Sequence, residues 1–227
     1  MTVIASADEV RIGTEGAYPP FNFINDNGQL DGFEIEMGNE LCKRAKLDCT
    51  WVKNDWDSII PNLVSGNYDA IIAGMSITEE RKQVIAFSDA YLKADPSSFV
   101  ALAGADDSVT TGVVAAQAST IESSYIAESD ATLVEFATPE EPIAAVRSGE
   151  VDAVLANRNY LAGVIEGDAS LAFVGENVTL GAGNGIGLRQ SDGELAAAFN
   201  EAIASMKEDG SLNALIEKWF EGNKDTW

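Results

Sequence analysis

Short apolar runs alternate with amphipathic stretches along the chain. Residues 10–14 and the run CTWVKN have the apolar and β-branched character of strands. The segment DGFEIEMGNELCKRA between them places Phe33, Met37 and Leu41 at helical spacing, and its basic residues lie late, as a helix dipole favours. WDSIIPNLVSG then predicts a short helix that stops at Gly66, and YDAIIAG predicts a strand buried on both faces.

The second half of the chain follows the same order. TGVVAAQ, ATLVEFA and VDAVLAN predict strands, while STIESSYIAES and PEEPIAAVRSG predict helices, the latter stopping at Gly149. LAFVGE predicts one more strand, GAGNGIGLR a glycine-rich crossing, and residues 192–222 a long helical region. Strands that alternate with helices indicate an α/β fold with right-handed connections between parallel strands.

Two segments, SGNYDAIIAG at residues 65–74 and SGEVDAVLAN at residues 148–157, echo each other. The echo indicates two similar α/β units, each with its own parallel sheet, although the same residues suit any helix stop that precedes a strand. Ligands of open α/β sheets bind beyond the carboxyl ends of the strands. We therefore expect Gly74 and Asn157, which end equivalent strands, to line one cleft between the units.

The composition adds a strong negative charge to this picture. The chain has 227 residues, enough for one large or two small domains, with 46% hydrophobic residues and a formal net charge of −23. This charge repels nucleic acid and acidic lipid, so neither is expected as a partner. The favoured interpretation of the charge is solubility, and attraction of a cationic small molecule is the alternative. No apolar run reaches the roughly 18 residues of a membrane helix, so no membrane insertion is expected.

The N-terminus and the cysteines suggest an exported protein. Residues 5–7 (Ala-Ser-Ala) match the pattern that signal peptidase cuts, although an alanine-rich chain also produces it by chance. We interpret residues 1–7 as the remnant of an export signal behind an added methionine. Cys42 and Cys49 form an even pair, which in an exported chain favours a disulfide over two free thiols. Without histidine or a Cys-x-x-Cys motif, we expect neither a metal site nor a cofactor.

The segment AGMSITEERKQ carries the most informative chemistry. Ser76 stands three residues before Glu79, a capping-box spacing that predicts a helix start directly after a strand. Free backbone N–H groups at a helix start attract an anion, and Arg81 can hold a carboxylate through two parallel bonds. The competing interpretation is a surface arginine that pairs with Glu79 or Glu80.

The second unit repeats this arrangement in AAQASTIES. Ser119 stands three residues before Glu122, again a capping-box spacing after a strand. The hydroxyl groups of Ser119 and Thr120 can meet the same carboxylate from the opposite side. An ordinary helix cap explains the pattern as well.

Three further residues lie near the expected cleft. Glu15 follows the first strand and can pair with a cationic side chain, or it is a solvated loop acid. Tyr18 precedes two prolines that hold the chain extended, so its ring can cover a ligand. Trp56 begins a helix at the same sheet edge and can form the opposite wall. Both aromatic residues are also explained by packing alone.

Several segments together closely resemble the periplasmic solute-binding proteins of ABC importers for polar amino acids. This is the bacterial extracellular solute-binding family 3, of the histidine and lysine–arginine–ornithine type. The resemblance covers nearly the whole chain and is carried by IGTEGAYPPFNF, DGFEIEMGNELCKR, DWDSIIPNL, YDAIIAGMSITEERK, IAFSDAYL and DGSLNALIEKWF.

The resemblance implies a periplasmic binding protein of type II, or Venus-flytrap fold. Two lobes, residues 8–92 with 184–227 and residues 93–183, would be joined by a two-strand hinge and close on a ligand. The chain would be a monomeric periplasmic protein of a Gram-negative bacterium that delivers its ligand to an ABC permease in the inner membrane. Cys42 and Cys49 match a disulfide found in part of the family.

The resemblance also assigns roles within the predicted site. Arg81 matches the carboxylate anchor, Ser76, Ser119 and Thr120 its hydrogen-bonding helpers, and Glu15 the acid that meets cationic side chains. Tyr18 and Trp56 match the walls around the ligand side chain. The complete predicted ligand-binding set is Glu15, Tyr18, Trp56, Ala73, Gly74, Met75, Ser76, Arg81, Gln117, Ser119, Thr120 and Asn157.

The match fails at the position that meets the ligand's α-ammonium group. Family members for ordinary amino acids usually carry aspartate where this chain has Asn157. In the histidine type, serine often fills the positions that are Ala73 and Gly74 here, where only backbone carbonyl groups remain. The usual glycine before the Ser/Thr pair is Ala118. An unpaired buried ammonium group is costly, so either Glu15 or another acid supplies the charge, or the ligand lacks a primary α-ammonium group.

These two accounts lead to two ligand classes. The first is a polar, basic amino acid, which we favour, and the second is an opine or other N-substituted derivative, because opine-binding relatives resemble this chain in lacking the aspartate. A different class is a cyclohexadienyl-type dehydratase on the same fold, which would need a general acid such as Glu15. We expect a binding protein without enzymatic activity, and a sensor domain is the remaining alternative.

Overall fold

The computed structural model of the protein describes residues 9–227, so the predicted signal remnant at residues 1–7 lies outside the described residues. Two five-stranded sheets with their helices form two α/β lobes, which confirms the predicted fold class. None of the helices within residues 9–227 has both the length and the apolar character needed to cross a bilayer.

The chain first builds most of one lobe. Its elements are, in order, β1 (Glu9–Thr14), β2 (Ala17–Tyr18), β3 (Asn22–Ile24), β4 (Leu30–Asp31), α1 (Phe33–Ala45), β5 (Asp48–Lys53), α2 (Trp56–Val64), β6 (Ala70–Ile71), α3 (Glu79–Lys82) and β7 (Ala86–Phe87).

The second lobe follows, and the chain then returns to the first. The second lobe contains β8 (Pro96–Leu102), a 3-10 helix (Asp107–Thr111), β9 (Val113–Gln117), α4 (Ile121–Ala127), β10 (Thr132–Phe136), α5 (Glu140–Ser148), β11 (Ala153–Asn157), α6 (Arg158–Glu166) and β12 (Leu171–Thr179). The returning elements are β13 (Gly187–Leu188), α7 (Gly193–Glu208) and α8 (Ser211–Phe220).

Both sheets have a parallel centre and antiparallel additions. In the first, of order β5-β1-β6-β13-β7, β1 is parallel to β5 and β6, whereas β13 runs antiparallel to β6 and β7. In the second, of order β10-β9-β11-β8-β12, β9 is parallel to β10 and β11, whereas β8 runs antiparallel to β11 and β12. The antiparallel strands flank the two segments in which the chain passes between the lobes.

Apolar periodicity and left-handed turns fix the helices. Phe33, Met37 and Leu41 of α1 are fully buried against the first sheet, as their spacing predicts. Gly66 and Gly149 have φ values of 81° and 74°, the left-handed conformation that ends α2 and α5. The predicted long C-terminal helical region is two helices, because it is interrupted at Gly210, with φ 77°.

A disulfide between Cys42 and Cys49 confirms the predicted pairing. It joins the last turn of α1 to β5, seven positions later in the chain. Cys42 is buried in the core between α1 and the first sheet. The bond therefore fixes the turn that brings the chain back from the helix into the sheet.

Candidate functional site

A cavity lies between the two lobes, beyond the carboxyl ends of the parallel strands. It holds ten of the twelve predicted site residues, namely Glu15, Tyr18, Trp56, Ala73, Gly74, Ser76, Arg81, Gln117, Thr120 and Asn157. Gly74 follows β6 and Asn157 ends β11, so the echoed segments both reach this cavity. Among residues 9–227 no cluster of three potential ligands for a metal ion is present.

Two predicted residues take other positions. Met75 is fully buried in the apolar core of the first lobe, where it packs in the cluster with Ile59 and Leu63 rather than lining the cavity. Ser119 is exposed and left-handed, with φ 60°. Its carbonyl oxygen, not its hydroxyl group, takes part in the site, by accepting hydrogen bonds from Trp56 and Arg81 of the other lobe.

Arg81 lies in a short helix whose cap differs from the sequence prediction. The N-cap of α3 is Thr78, whose hydroxyl accepts a bond of 3.1 Å from the Arg81 amide, and Ser76 lies ahead of the helix. Thr78 has the extended backbone of an N-cap and can accept as well as serine can. The predicted capping box of Ser76 and Glu79 is therefore wrong by two residues.

The Arg81 guanidinium group faces the cavity without a carboxylate partner. Its Nη1 donates to the Ser76 carbonyl at 2.9 Å, and its Nη2 donates to the Ser119 carbonyl at 3.2 Å. It also lies over the Trp56 ring, 5.3 Å from the centroid. Burial lowers the pKa of this guanidinium group. Glu79 pairs with Lys82 instead, so the interpretation of Arg81 as an arginine paired with Glu79 does not hold.

The start of α4 on the opposite wall is capped by Thr120. The Thr120 hydroxyl accepts a bond of 3.1 Å from the Ser123 amide and donates to the Gln117 carbonyl at 2.7 Å. Ser119 has a left-handed backbone conformation and precedes the N-cap residue, Thr120. The predicted capping box of Ser119 and Glu122 is therefore wrong by one residue. The Glu122 carboxylate instead accepts a bond of 2.7 Å from the Ser97 hydroxyl.

Glu15 is a buried carboxyl group at the end of β1. Its Oε1 accepts a bond of 2.6 Å from Gln117 Nε2 of the second lobe. Burial raises its pKa to about 7, against the opposing effects of Gln117 and Lys53. At neutral pH this group is poised between its neutral and charged forms, so a cation beside it would favour the charged form.

Aromatic rings close the cavity. Tyr18 stacks on Tyr160 of the second lobe, with centroids 4.1 Å apart and planes inclined by 14°. The Tyr18 hydroxyl accepts a bond of 3.2 Å from the Asn157 amide. Trp56 Nε1 donates to the Ser119 carbonyl at 3.3 Å. These contacts join the lobes directly, so the structure shows the closed arrangement.

Asn157 ends β11 and serves as the N-cap of α6. Its Oδ1 accepts bonds of 2.9 Å from the Asn159 amide and 3.4 Å from the Tyr160 amide. The side-chain oxygen is thus bonded to the helix that follows. The residue contributes an amide dipole to the cavity but no charge.

The backbone of Gly74 is bonded on both sides. Its amide donates to Glu34 Oε1 at 2.6 Å, and its carbonyl accepts from Asn184 Nδ2 at 2.6 Å. Glu34 is fully buried and also accepts from Asn22 Nδ2 at 2.7 Å and from the Tyr91 hydroxyl. Ala73 is buried beside Gly74. The expected free carbonyl at Gly74 is therefore occupied by Asn184.

Several cavity residues were not predicted from the sequence as ligand-binding residues, among them Glu122, Tyr160 and Asp95. Glu122 appeared only as a capping acid, although its place after a strand end was a usable signal. Tyr160 lies one turn beyond Asn157 and could be placed only once α6 was known. Asp95 lies where the chain crosses between the lobes and pairs with the buried Lys224, a contact between distant positions that no local pattern reveals.

Comparison with known proteins gives consistent results. The family model described as bacterial extracellular solute-binding proteins, family 3, matches residues 10–222. The lysine/arginine/ornithine-binding periplasmic protein of Escherichia coli (strain K12) is 35% identical over 237 residues, covering 96% of this chain and 90% of that protein.

Solved structures share the fold along almost the entire chain. A periplasmic His/Glu/Gln/Arg/opine family-binding protein from Silicibacter pomeroyi in complex with lysine is 64% identical, with a TM-score of 0.93 over 96% of this chain and 100% of that one. An ancestral amino acid-binding protein, a precursor of cyclohexadienyl dehydratase, is 29% identical, with a TM-score of 0.83 over 93% of this chain and 95% of that one.

Proposed function

Because the chain belongs to the bacterial extracellular solute-binding proteins of family 3, we propose that it binds a basic amino acid, lysine or arginine, between its two lobes. The observation that carries the proposal is the presence of one basic group and one acidic group in the same cavity. A half-buried guanidinium group without a carboxylate partner, Arg81, and a buried carboxyl group, Glu15, line the same space. These are the groups that a carboxylate and a cationic side chain require.

Arg81 is the proposed carboxylate anchor. Both of its terminal nitrogens bond only to carbonyl oxygens, of Ser76 and Ser119, which are weaker acceptors than a charged carboxylate. A ligand carboxylate can therefore compete for this group. The Thr120 hydroxyl lies on the opposite wall, and it can donate to the ligand only by giving up its bond to the Gln117 carbonyl.

Tyr18, Trp56 and Tyr160 are the proposed walls around the aliphatic part of the ligand. The two tyrosine rings already stack on each other from opposite lobes. Flat apolar faces suit the methylene groups of lysine and arginine, and aromatic faces also attract their cationic ends. This supports a long basic side chain over a short polar one.

The relatives favour a free basic amino acid over an opine. The 64% identical protein was crystallised with lysine, and the Escherichia coli relative is named for lysine, arginine and ornithine. An N-substituted ligand would explain the missing charge at Asn157, but it is not favoured. The α-ammonium group of a free amino acid must then find its counter-charge elsewhere.

Binding without a chemical step is the proposed activity. The named relatives are binding proteins, and the structural neighbour connected with a dehydratase is itself an amino acid-binding precursor. The chain contains no histidine, so a general acid in the cavity would have to be a carboxyl group such as Glu15. We propose no catalytic role for it.

Capture in the periplasm and delivery to an ABC permease in the inner membrane complete the proposal. The Escherichia coli relative is named as periplasmic, which supports the location. Closure by hinge bending would present a bound form to the permease. We propose the two chain crossings between β7 and β8 and between β12 and β13 as the hinge, with lobes at residues 8–92 with 184–227 and residues 93–183.

Calorimetry with purified protein tests this function. We expect L-lysine and L-arginine to bind with dissociation constants of about 1 μM or below, and L-glutamine and octopine at least tenfold more weakly. Tight octopine binding without binding of either basic amino acid would contradict the proposal. Incubation with prephenate is the control for catalysis, and product formation would overturn the assignment as a binding protein.

A further inference from the structure

The charges of the cavity can be matched with those of the proposed ligand. A basic amino acid carries one carboxylate and two cationic groups, and each needs a counter-charge when water is excluded. Arg81 is the counter-charge for the ligand carboxylate, and Glu15 is the counter-charge for the cationic side chain. The second cation, the α-ammonium group, has no acid at position 157, where Asn157 uses its side-chain oxygen to cap α6.

Two other carboxyl groups line the cavity, and only one of them is without a cation. Asp95 pairs with Lys224, whose side chain is fully buried, so its charge is already neutralised within the protein. Glu122 has no basic residue within ion-pair distance among residues 9–227. Its carboxylate accepts the 2.7 Å bond from the Ser97 hydroxyl, and the Arg81 charge acts on it from beyond ion-pair distance.

The position of Glu122 matches the missing charge. Ser97 in β8 is the direct antiparallel partner of Asn157 in β11. Its hydroxyl group holds the Glu122 carboxylate, which reaches the cavity wall from the first turn of α4. The carboxylate is thus fixed beside the strand end at which relatives of the resembled type carry their aspartate. It is only 8% exposed.

We infer that Glu122 is the counter-charge for the α-ammonium group of the bound amino acid and thereby sets the preference for free α-amino acids. The inference rests on the proposed function. With it, two carboxylates and one guanidinium group meet two cations and one carboxylate, and the closed complex is neutral within the cavity.

The surroundings of Glu122 support this role. Burial raises the pKa of its carboxyl group, and the Ser97 hydroxyl, the Glu122 backbone amide and the Arg81 charge oppose that shift only in part. A bound ammonium group would supply the missing stabilisation of the charged form. A purely structural acid that bonds Ser97 would not require such a cation.

Three ligands separate the roles of the two acids. L-lysine has both cationic groups, 6-aminohexanoate lacks the α-ammonium group, and L-norleucine lacks the side-chain ammonium group. For Glu122→Gln we expect L-lysine and L-norleucine to bind about 10- to 100-fold more weakly, as for loss of a charged hydrogen-bond partner. The affinity for 6-aminohexanoate should stay within about twofold, because this ligand has no α-ammonium group and so makes no bond to Glu122 in the wild type.

Calorimetry, with displacement of L-lysine for the weaker ligands, provides the measurements. Glu128→Gln is the matched control, since it removes one charge from the exposed end of the same helix and should leave all three affinities unchanged. Unchanged L-lysine binding by Glu122→Gln would overturn the inference. An equal loss for L-lysine and 6-aminohexanoate would also overturn it, because Glu122 would then act through Arg81 or through packing.

A second variant tests the location of the charge. Adding Asn157→Asp to Glu122→Gln places a carboxylate at the neighbouring strand end, and we expect the preference for L-lysine over 6-aminohexanoate to return. A preference that does not return would contradict the placement of the α-ammonium group. If the wild-type protein binds neither L-lysine nor L-arginine, the proposed function itself fails, which is a different result from a normal wild type with an unaffected variant.

Discussion

At the scale of single residues, Arg81 differs from most arginines of the described chain. Arg11, Arg44, Arg147 and Arg189 each pair with a carboxylate. Arg81 bonds two carbonyl oxygens and an aromatic face instead. A guanidinium group held in place but not neutralised is suited to receive an anion.

Arg81→Ala should remove about 3 kcal/mol of binding free energy for L-lysine, since a desolvated carboxylate would lose its charged partner. Arg81→Lys keeps the charge but not the two parallel bonds, so it should bind with intermediate affinity. Calorimetry measures both variants. Wild-type affinity in Arg81→Ala would exclude Arg81 from the site.

Glu15 gives a second prediction, concerning pH. Its pKa of about 7 means that the carboxyl group is largely protonated below that pH in the free protein, while a cationic ligand side chain requires the charged form. Binding therefore releases a proton, and L-lysine affinity should rise about tenfold from pH 6 to pH 8. Gln117 and Lys53 favour the charged form, and Asp55 and Asp57 oppose it.

Calorimetry across this pH range checks the effect. In Glu15→Gln, whose side chain cannot ionise, the increase in L-lysine affinity from pH 6 to pH 8 should be smaller. L-norleucine has no side-chain ammonium group, so its affinity should lack the part of this increase that Glu15 causes. A wild-type profile that is flat from pH 6 to pH 8 would count against the charged pairing of Glu15 with the ligand.

Single residues were predictable where one local feature decides their place. Arg81 and Glu15 follow strand ends, so the sequence could bring them to the cleft. The roles of Glu34 and Asp95 could not be foreseen, because each depends on partners far along the chain, such as Gly74 and Lys224. Met75 was misplaced because it faces the core although its neighbours face the cavity.

At the scale of elements, helix ends were predicted well where glycine was present and less well where hydroxyl residues cluster. Gly66 and Gly149 end helices because they adopt left-handed backbone conformations at little cost. In SITEE and ASTIE, neighbouring serine and threonine residues can each cap a helix, and the caps in the structure are Thr78 and Thr120. The apolar run after Tyr68 pairs over only two residues, so β6 is shorter than predicted.

The disulfide gives a prediction at this scale. Cys42 and Cys49 close a short loop, seven positions apart, so Cys42→Ser with Cys49→Ser should lower the free energy of unfolding by about 2 kcal/mol. The bond lies in the core of the first lobe, and neither cysteine lines the cavity, so L-lysine affinity should not change. Urea unfolding and calorimetry measure the two effects, and an unchanged urea midpoint would contradict the prediction.

At the scale of the whole molecule, the lobes are connected by more than the two crossings. Lys224, near the C-terminus, pairs with Asp95 beside β8 and donates to the Lys93 carbonyl at 3.1 Å. Asp95 also accepts from Asn159 of α6 at 2.9 Å. The residues after α8 are thereby fixed against one crossing segment and, through it, against the second lobe.

Lys224→Met should destabilise the protein by about 3 to 5 kcal/mol, because it leaves Asp95 as a buried charge without its cation. Adding Asp95→Asn removes that charge and should recover part of the loss. Chemical unfolding measures both variants. Equal stability of Lys224→Met and the wild type would show that the pair is solvated rather than buried.

The global architecture was largely readable from the sequence, because the order of strands and helices and the echo of residues 65–74 in residues 148–157 indicate two α/β lobes. The antiparallel strands β8 and β13 were not readable, because an apolar run looks the same in either direction. Closure itself, seen in contacts such as Tyr18 on Tyr160, depends on how the lobes meet, and no local pattern encodes that.

The bond from the Trp56 indole to the second lobe has a practical consequence. The other three tryptophans, Trp51, Trp219 and Trp227, bond to Asn39, Glu36 and Tyr91, all within the first lobe. Opening of the lobes would therefore change the surroundings of Trp56 while leaving those of Trp51 and Trp219 in place, and Trp227 lies beside Lys93 at one chain crossing. The natural ultraviolet emission of the unlabelled protein should report closure directly, which makes the molecule a ready optical sensor for its own solute.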